Sequence, residues 1–87
     1  MFVIAGTIGV DPSKRDQAVG PAAVMMQETH KEPGNIDYAF SLDMGEAGTI
    51  RVFEQWESQE ALDLHFASPH MAVFQKALGE LGITGMN

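Results

Sequence analysis

Eighty-seven residues are enough for one small domain with one modest hydrophobic core, so we expect a single domain spanning residues 1–87. Twelve acidic against five basic side chains give a net charge of −7, which argues against binding to nucleic acid or to anionic membranes. The absence of cysteine excludes disulfides and thiolate metal sites. The apolar runs fall far short of the roughly 20 residues of a membrane span. The first residues also lack a basic signal-peptide region, so we expect a cytoplasmic protein.

The first predicted element is a strand over residues 2–10, which are rich in β-branched side chains and punctuated by glycine. Asp11 then offers an N-cap acceptor, and Pro12 suits the first position of a helix. A kink or restart is expected at Pro21, which has no N–H to donate. The helix should end before Pro33. Its predicted buried face comprises Val19, Ala22, Ala23, Met26 and His30.

The middle of the chain alternates strictly between apolar and polar residues, which is typical of a half-buried strand. The apolar positions are Ile36, Tyr38, Phe40, Leu42 and Met44. A glycine-containing turn at residues 45–48 precedes a second strand, 49–56, so an antiparallel hairpin is expected. On that second strand Glu54 places a carboxylate on the otherwise apolar face, next to Ile50, Val52 and Trp56.

Two short helices are predicted in the last third of the chain. Ser58 and Ser68 are their expected N-caps, and Pro69 suits the first position of the second helix. The apolar face of the first helix comprises Ala61, Leu62, His65 and Phe66, and that of the second Val73, Phe74, Ala77, Leu78 and Leu81. Residues 83–87 are long enough only for a stub of a last strand.

The order β-α-β-β-α-(β) indicates an α+β fold of the split βαβ type with an antiparallel sheet. Helices on one face of the sheet leave its other face to be covered. Phe53 lies on that other face, together with either Val3 and Ala5 or Phe2, Ile4 and Ile8, depending on the orientation of the first strand. Burying one large apolar side chain contributes about 1.5–3 kcal/mol. We therefore expect a homodimer in which two sheets face each other.

Glu54 and His65 are the candidates for acid–base chemistry. A carboxylate on an apolar face can act as a general base, or it can be a structural group satisfied by backbone N–H groups, histidine or arginine. His65, on the apolar face of the following helix, is either a proton shuttle or a core histidine. If both side chains face one cavity, they form a plausible catalytic pair.

Tyr38 and Trp56 lie on the apolar side of adjacent strands, where they either bound an aromatic ligand or fill the core. Met26 and Phe66 are further candidates for lining a cavity. His30 is interpreted as favourable to the helix dipole, and His70 as exposed at a helix start. The three histidines lack the i, i+4 spacing of a helix-borne zinc pair, so no metal site is expected. Nucleotide-binding glycine motifs are also missing, so no cofactor is expected.

Several of these residues together resemble the antibiotic biosynthesis monooxygenase-like (ABM) domain. The matching segments, in order, are residues 32–35 with Tyr38, 54–58, 60–62 with His65, and 68–70 with Phe74. The similarity runs from about residue 10 to residue 81. It implies a ferredoxin-like, dimeric α+β barrel, and several members of the family oxygenate quinol-type or polyketide aromatics without metal, flavin or haem. Trp56 matches the tryptophan that lines the pocket in polyketide-oxidising relatives.

The leading hypothesis is a cofactor-independent monooxygenase, or a related small oxidoreductase, acting on a quinol or hydroxylated aromatic. His65 would move the proton, Glu54 would orient it or stabilise its charge, and Tyr38 and Trp56 would bound the ring. One alternative is a non-catalytic dimer for metabolite binding or stress response, favoured by a cavity filled with side chains. The other is an isomerase of a small carbonyl compound, favoured by an anion site near Lys31 or Arg51.

Overall fold

A computed structural model, which describes residues 1–83 and 85–86, consists of an antiparallel sheet with helices packed on one side. The strands are β1 (Phe2–Gly9), β2 (Asn35–Leu42), β3 (Thr49–Trp56) and β4 (Gly85–Met86). The α-helices are α1 (Val19–His30), α2 (Gln59–Phe66) and α3 (Pro69–Glu80), and a 3-10 helix, Pro12–Ala18, precedes α1. The strand order β2-β3-β1-β4 confirms the predicted α+β class with antiparallel pairing.

The helices begin where the sequence provides caps. The side chains of Asp11, Ser58 and Ser68 each accept a backbone N–H from the following turn, at 3.0, 3.2 and 3.3 Å. Each contact satisfies a donor that has no partner within its own helix. α1 begins at Val19, slightly before the restart expected at Pro21, because proline is tolerated in the first turn of a helix.

The buried face of α1 differs from the predicted one. Ala22, Met25 and Thr29 are buried, whereas Val19 and His30 are exposed. The predicted and the observed buried faces have similar helical spacing, but Met25 and Thr29 are buried where Met26 and His30 were predicted. The helix is apolar on more than one side, so periodicity alone does not choose between two adjacent stripes.

α1 covers the free side of β2, which is an edge strand of the sheet. His30 Nε2 donates to the Tyr38 carbonyl oxygen at 2.9 Å, and the Phe40 N–H donates to Met26 Sδ at 3.4 Å. These contacts satisfy backbone groups that an edge strand presents away from its neighbouring strand. His30 therefore ties the helix to the sheet, a contact beyond the dipole interaction expected of it.

The register of the sheet places the apolar faces of its strands under the helices. Tyr38 and Ile4 both lie opposite Glu54, and Ile8 lies opposite Ile50. Residues directly opposite on antiparallel strands share a face of the sheet. This face and the helices enclose the core, whose buried members include Val10, Trp56, Leu62, Phe74, Leu78 and Leu81.

The register also fixes what the opposite, outward face of the sheet presents. Ala5 lies opposite Phe53, so β1 directs Val3 and Ala5 outward while Ile4 and Ile8 face the helices. Val3 is 56% exposed and Phe53 is 38% exposed. The first of the two orientations considered for β1 is therefore the observed one, and it leaves an apolar surface on the outward face.

Two expectations concern the end of the chain. Val73, predicted on the buried face of α3, is exposed, whereas Phe74 and Leu78 are buried as predicted. The last strand is a stub, as expected: Gly85 and Met86 pair with β1, and positions 84 and 87 of the expected segment lie outside the described residues. Among the described residues no helix is both long and apolar enough to cross a membrane.

Candidate active site

A cavity of about 330 Å³ lies between the sheet and helices α2 and α3. On its sheet side, β1 presents Ile4, Gly6 and Ile8 toward the helices, and Gly6 lies opposite Val52. Because glycine adds no side chain to this layer, space remains between the sheet and α3. The other lining residues are Ala5, Thr7, Tyr38, Phe40, Glu54, Phe66, Met71, Phe74, Gln75 and Leu78.

Glu54 brings a carboxylate into this apolar cavity. The side chain is 8% exposed, and its Oε1 accepts a hydrogen bond of 2.9 Å from the indole Nε1 of Trp56, two residues along β3. Trp56 is fully buried, so its N–H needs an acceptor inside the protein. Among the described lining residues Glu54 is the only acidic or basic side chain. The cavity thus contains one fixed carboxylate in apolar surroundings.

Tyr38 brings a phenol to the cavity, directly across from Glu54 on β2. Burial of the phenol, together with the negative charges of Glu54 and then Glu32, raises the pKa of Tyr38 well above its ordinary value. The phenol is therefore neutral at physiological pH and available as a hydrogen-bond donor. Its ring meets Phe40 edge-on, with a centroid distance of 5.2 Å.

His65 lies beside this cavity without lining it. The imidazole is fully buried, with its ring centroid 4.7 Å from that of Trp56 and 5.2 Å from that of Tyr38. Its Nδ1 is hydrogen-bonded to Oε2 of Glu32 at 2.7 Å. The partners assigned in the structure are thus Trp56 for Glu54 and Glu32 for His65. The predicted Glu54–His65 couple is not brought together as one hydrogen-bonded pair.

Glu32 also contacts the third histidine of the chain. His70 Nε2 is hydrogen-bonded to the same Oε2 atom at 2.9 Å, and the rings of His65 and His70 have centroids 6.0 Å apart. His70, expected to be exposed, is therefore partly buried and paired. The break at Ser68, which caps α3, lets two histidines from different helices converge on one carboxylate.

The remaining predicted ligand-contacting residues divide between two hollows. Phe66 lines the 330 Å³ cavity, and Trp56 lies behind Glu54 rather than on the cavity surface. Met26 lines a neighbouring cleft of about 220 Å³ under α1, separated from the main cavity by Phe40, which lines both. Of the predicted site residues, Tyr38, Glu54 and Phe66 therefore meet in one cavity.

Several residues of the site carry no signal in a single sequence. In the sequence Gly6 is simply a glycine within a predicted strand. Such a glycine can indicate close packing as well as open space, so it does not predict a cavity. Met71 and Gln75 contribute through the position of α3 relative to β1. Glu32 stands in the turn after α1, where a carboxylate is ordinarily solvated. Its contact with His65 depends on packing between elements far apart in the chain.

Lys31 and Arg51, the cations considered for an anion site, form ion pairs away from the cavity. Arg51 is on the outward side of β3 and bonds Asp43 at 2.7 Å, and Lys31 pairs with Glu28 at 3.4 Å on the surface. Neither lines the cavity. The geometry therefore gives no support to the isomerase alternative, which needed an anion site near one of these cations.

This geometry defines a class of protein: a small α+β domain with a cavity, lined by aromatic rings, between the sheet and the helices. The chain belongs to the antibiotic biosynthesis monooxygenase family, whose family model matches residues 1–77. This match confirms the resemblance found in the sequence. A crystal structure of an antibiotic biosynthesis monooxygenase has a TM-score of 0.91 at 20% identity, covering 100% of this chain and 92% of that one. At this identity the likeness shows the fold.

Two curated relatives are similar in sequence. An uncharacterized protein from Synechocystis sp. (strain ATCC 27184 / PCC 6803 / Kazusa) is 35% identical over 73 residues, which is 84% of this chain and 50% of that protein. The chain therefore spans half the length of this relative. The Bacillus subtilis (strain 168) protein named "Putative monooxygenase YcnE" is 30% identical over 74 residues, or 85% of this chain and 78% of that protein.

Proposed function

We propose that this protein is a cofactor-independent monooxygenase that acts on a quinol or another small hydroxylated aromatic. The observation that carries the proposal is Glu54: a carboxylate held by an indole N–H within an apolar, ring-lined cavity, opposite a neutral phenol. Membership in the antibiotic biosynthesis monooxygenase family and the name of the relative YcnE both support oxygenation as the general class of reaction.

In the proposed mechanism Glu54 accepts the proton of a substrate hydroxyl, and Tyr38 donates a hydrogen bond to a substrate oxygen. The resulting aryloxide is electron-rich enough to reduce O₂ itself. A ring carbon of the aryloxide bonds to O₂, and the resulting peroxide takes the proton back from Glu54. This hydroperoxide loses water to leave a quinone with one additional oxygen atom. One oxygen atom enters the product and the other leaves as water. The substrate supplies all the electrons, so the reaction needs no further reductant.

The cavity also constrains the class of substrate. Its only ionisable lining groups in the described chain are the carboxylate of Glu54 and the neutral phenol of Tyr38, so a substrate carboxylate or phosphate would meet repulsion and no counter-charge. An apolar cavity of about 150 Å³ holds one benzene molecule. The 330 Å³ available here is adequate for one or two rings. We therefore expect a neutral, planar, hydroxylated substrate of that size.

The test is oxygen consumption with a panel of neutral quinols and their carboxylated analogues. We expect turnover of neutral quinols by the wild-type protein and a loss of kcat on the order of 100-fold or more in Glu54→Gln, because the general base is removed. Glutamine keeps an oxygen that can accept the Trp56 N–H. Glu60→Gln, an exposed change in the first turn of α2, is the matched control and should leave the rate unchanged.

Two results would overturn the proposal: oxygen uptake no faster than the uncatalysed background with every quinol, or equal uptake by wild type and Glu54→Gln. Binding without turnover would identify the non-catalytic alternative. It can be measured separately by quenching of the single tryptophan, which lies directly behind the cavity. The cavity is open rather than filled with side chains, so ligand binding is expected in either case.

We also propose that the protein is a homodimer joined through the outward face of the sheet. The apolar side chains of Val3, Ala5 and Phe53 on that face support this arrangement, as does the dimeric barrel implied by the resemblance to ABM domains. A hollow of about 410 Å³ on the same face is lined mainly by small residues, including Ala39 and Ser41. Such a surface can admit side chains from a second copy.

A further inference from the structure

The geometry points to a binding site for a divalent transition-metal ion of the zinc type, formed by Glu32, His65 and His70. Glu32 Oε2 is hydrogen-bonded to both Nδ1 of His65 and Nε2 of His70, and one ligand atom from each of the three residues lies within 4.8 Å of the others. This donor set is separate from the proposed active site, because none of the three residues lines the 330 Å³ cavity. The inference therefore stands or falls independently of the proposed oxygenation.

The three donors come from three different segments of the fold. Glu32 lies in the turn between α1 and β2, His65 in the last turn of α2, and His70 in the first turn of α3. Two imidazoles and one carboxylate are donors that suit Zn²⁺ and its neighbours in the transition series, whereas Ca²⁺ and Mg²⁺ prefer oxygen ligands. The chemistry of the set therefore selects the class of ion.

Holding a tetrahedral ion would require small changes in the two separations from Glu32 Oε2 and a narrowing of the separation between the two imidazole nitrogens, which lies within 4.8 Å. Ligand atoms at about 2.0–2.1 Å around tetrahedral zinc are separated from one another by roughly 3.3 Å. Oε2 of Glu32 now lies 2.7 Å from His65 Nδ1 and 2.9 Å from His70 Nε2. An ion entering the cluster would replace the shared protons of these hydrogen bonds and widen each separation by about half an ångström.

Burial of the three side chains decides how an ion would enter. His65 is fully buried, whereas the side chains of Glu32 and His70 are 13% and 18% exposed. The inner side of the cluster is thus closed by protein, and the outer side reaches solvent. A water molecule can occupy the fourth position there. Because imidazole must be unprotonated to bind a metal, affinity should fall as the pH is lowered.

Calorimetric titration of chelator-treated protein with Zn²⁺ tests the inference, with Tm as a second measurement. We expect one equivalent of Zn²⁺ to bind and Tm to rise by roughly 5 °C or more at saturation. The ion stabilises the folded protein because the three segments that hold it come together only in the folded chain. Replacing His70 by alanine should weaken Zn²⁺ binding at least about tenfold. Removing a residue that only hydrogen-bonds to a metal ligand already costs about that much affinity.

His70→Ala and Glu32→Gln are preferred to a change at the fully buried His65, which could disturb folding. Glu60→Gln is the control, because it removes an exposed carboxylate of α2 outside the cluster and should leave the affinity for Zn²⁺ unchanged. Mg²⁺ should produce no comparable Tm rise, which separates the site from general attraction of cations to a chain of charge −7. Absence of Zn²⁺ binding in the wild type, or equal affinity in wild type and His70→Ala, would overturn the inference.

Discussion

Glu54 and Trp56 satisfy each other's hydrogen-bonding needs. The indole N–H is buried and must find an acceptor, and the carboxylate, on an apolar face, gains a fixed donor at 2.9 Å. In the proposed mechanism Trp56 is a positioning residue, because its N–H fixes the carboxylate that lines the cavity. The same pairing explains why glutamine is the informative replacement at position 54: an aliphatic residue would leave a buried N–H without a partner.

Tyr38 provides a prediction about alkaline pH, since it is the only tyrosine in the chain. Burial and the nearby carboxylates raise its pKa above the ordinary value of 10.0, so the folded protein retains a proton that the unfolded chain releases. The free energy of unfolding should therefore fall as the pH rises above about 10, by up to about 1.36 kcal/mol per pH unit. The ultraviolet absorbance of tyrosinate, followed together with Trp56 fluorescence, should show ionisation only as the protein unfolds.

The variant Tyr38→Phe separates this effect from the titration of lysines in the same pH range. It should lose the contribution to the pH dependence that comes from the phenol and keep the rest. Tyrosinate absorbance developing near pH 10 while the tryptophan fluorescence remains that of the folded protein would contradict the assignment of Tyr38 to a buried, neutral state.

At the level of elements, the turn between α1 and β2 brings Glu32 to the histidines. Gly34 adopts φ 84°, and its backbone lies close to Ala61 on α2. Its carbonyl oxygen also accepts the Glu57 N–H at 2.8 Å, just before α2 begins. The turn and α2 are therefore packed directly against each other. That packing is what sets the distance between Glu32 and His65.

We predict that Gly34→Ala destabilises the protein by at least about 2 kcal/mol. A left-handed conformation costs a non-glycine residue about 1–2 kcal/mol, and an added Cβ would lie only 2.5 Å from the Cβ of Ala61. The control is Gly79→Ala, in α3, where an added Cβ meets nothing within 4 Å and no proline follows. It should stabilise by about 0.5–1 kcal/mol. Urea denaturation measures both values, and equal stability of the two variants would contradict the argument.

Local patterns predict the elements far better than they predict the contacts between them. The strand 49–56 and the caps at Ser58 and Ser68 follow from alternation and from the first turn of a helix, both of which act within a few residues. The Glu32–His65 contact joins positions 33 apart in the chain, so no local pattern encodes it. Glu54 could be singled out because a carboxylate on an apolar strand face violates the pattern. Trp56 could be named as a large ring on the same face but not as the hydrogen-bond partner of Glu54, because large rings are expected in any core.

For the whole molecule, the proposed dimer and the cavity share a wall. Ala5, Gly6, Thr7 and Val52 line both the outward hollow and the 330 Å³ cavity on the other side of the sheet. A second copy on the outward face would therefore exclude water from the back of the site. The hollow itself carries no unpaired charge, because Arg51 is the only charged residue among those described around it, and Asp43 pairs with it at 2.7 Å.

We predict that Phe53→Glu converts the protein from a dimer to a monomer at micromolar concentration. Phe53 is 38% exposed at the centre of the outward face, and a carboxylate there would be buried without a partner in the dimer. Met44→Glu, a fully exposed position in the β2–β3 turn, is the control and should remain dimeric. Light scattering after size-exclusion chromatography gives the mass of each variant. A monomeric wild type, or a dimeric Phe53→Glu variant, would show that the sheet face is not the interface.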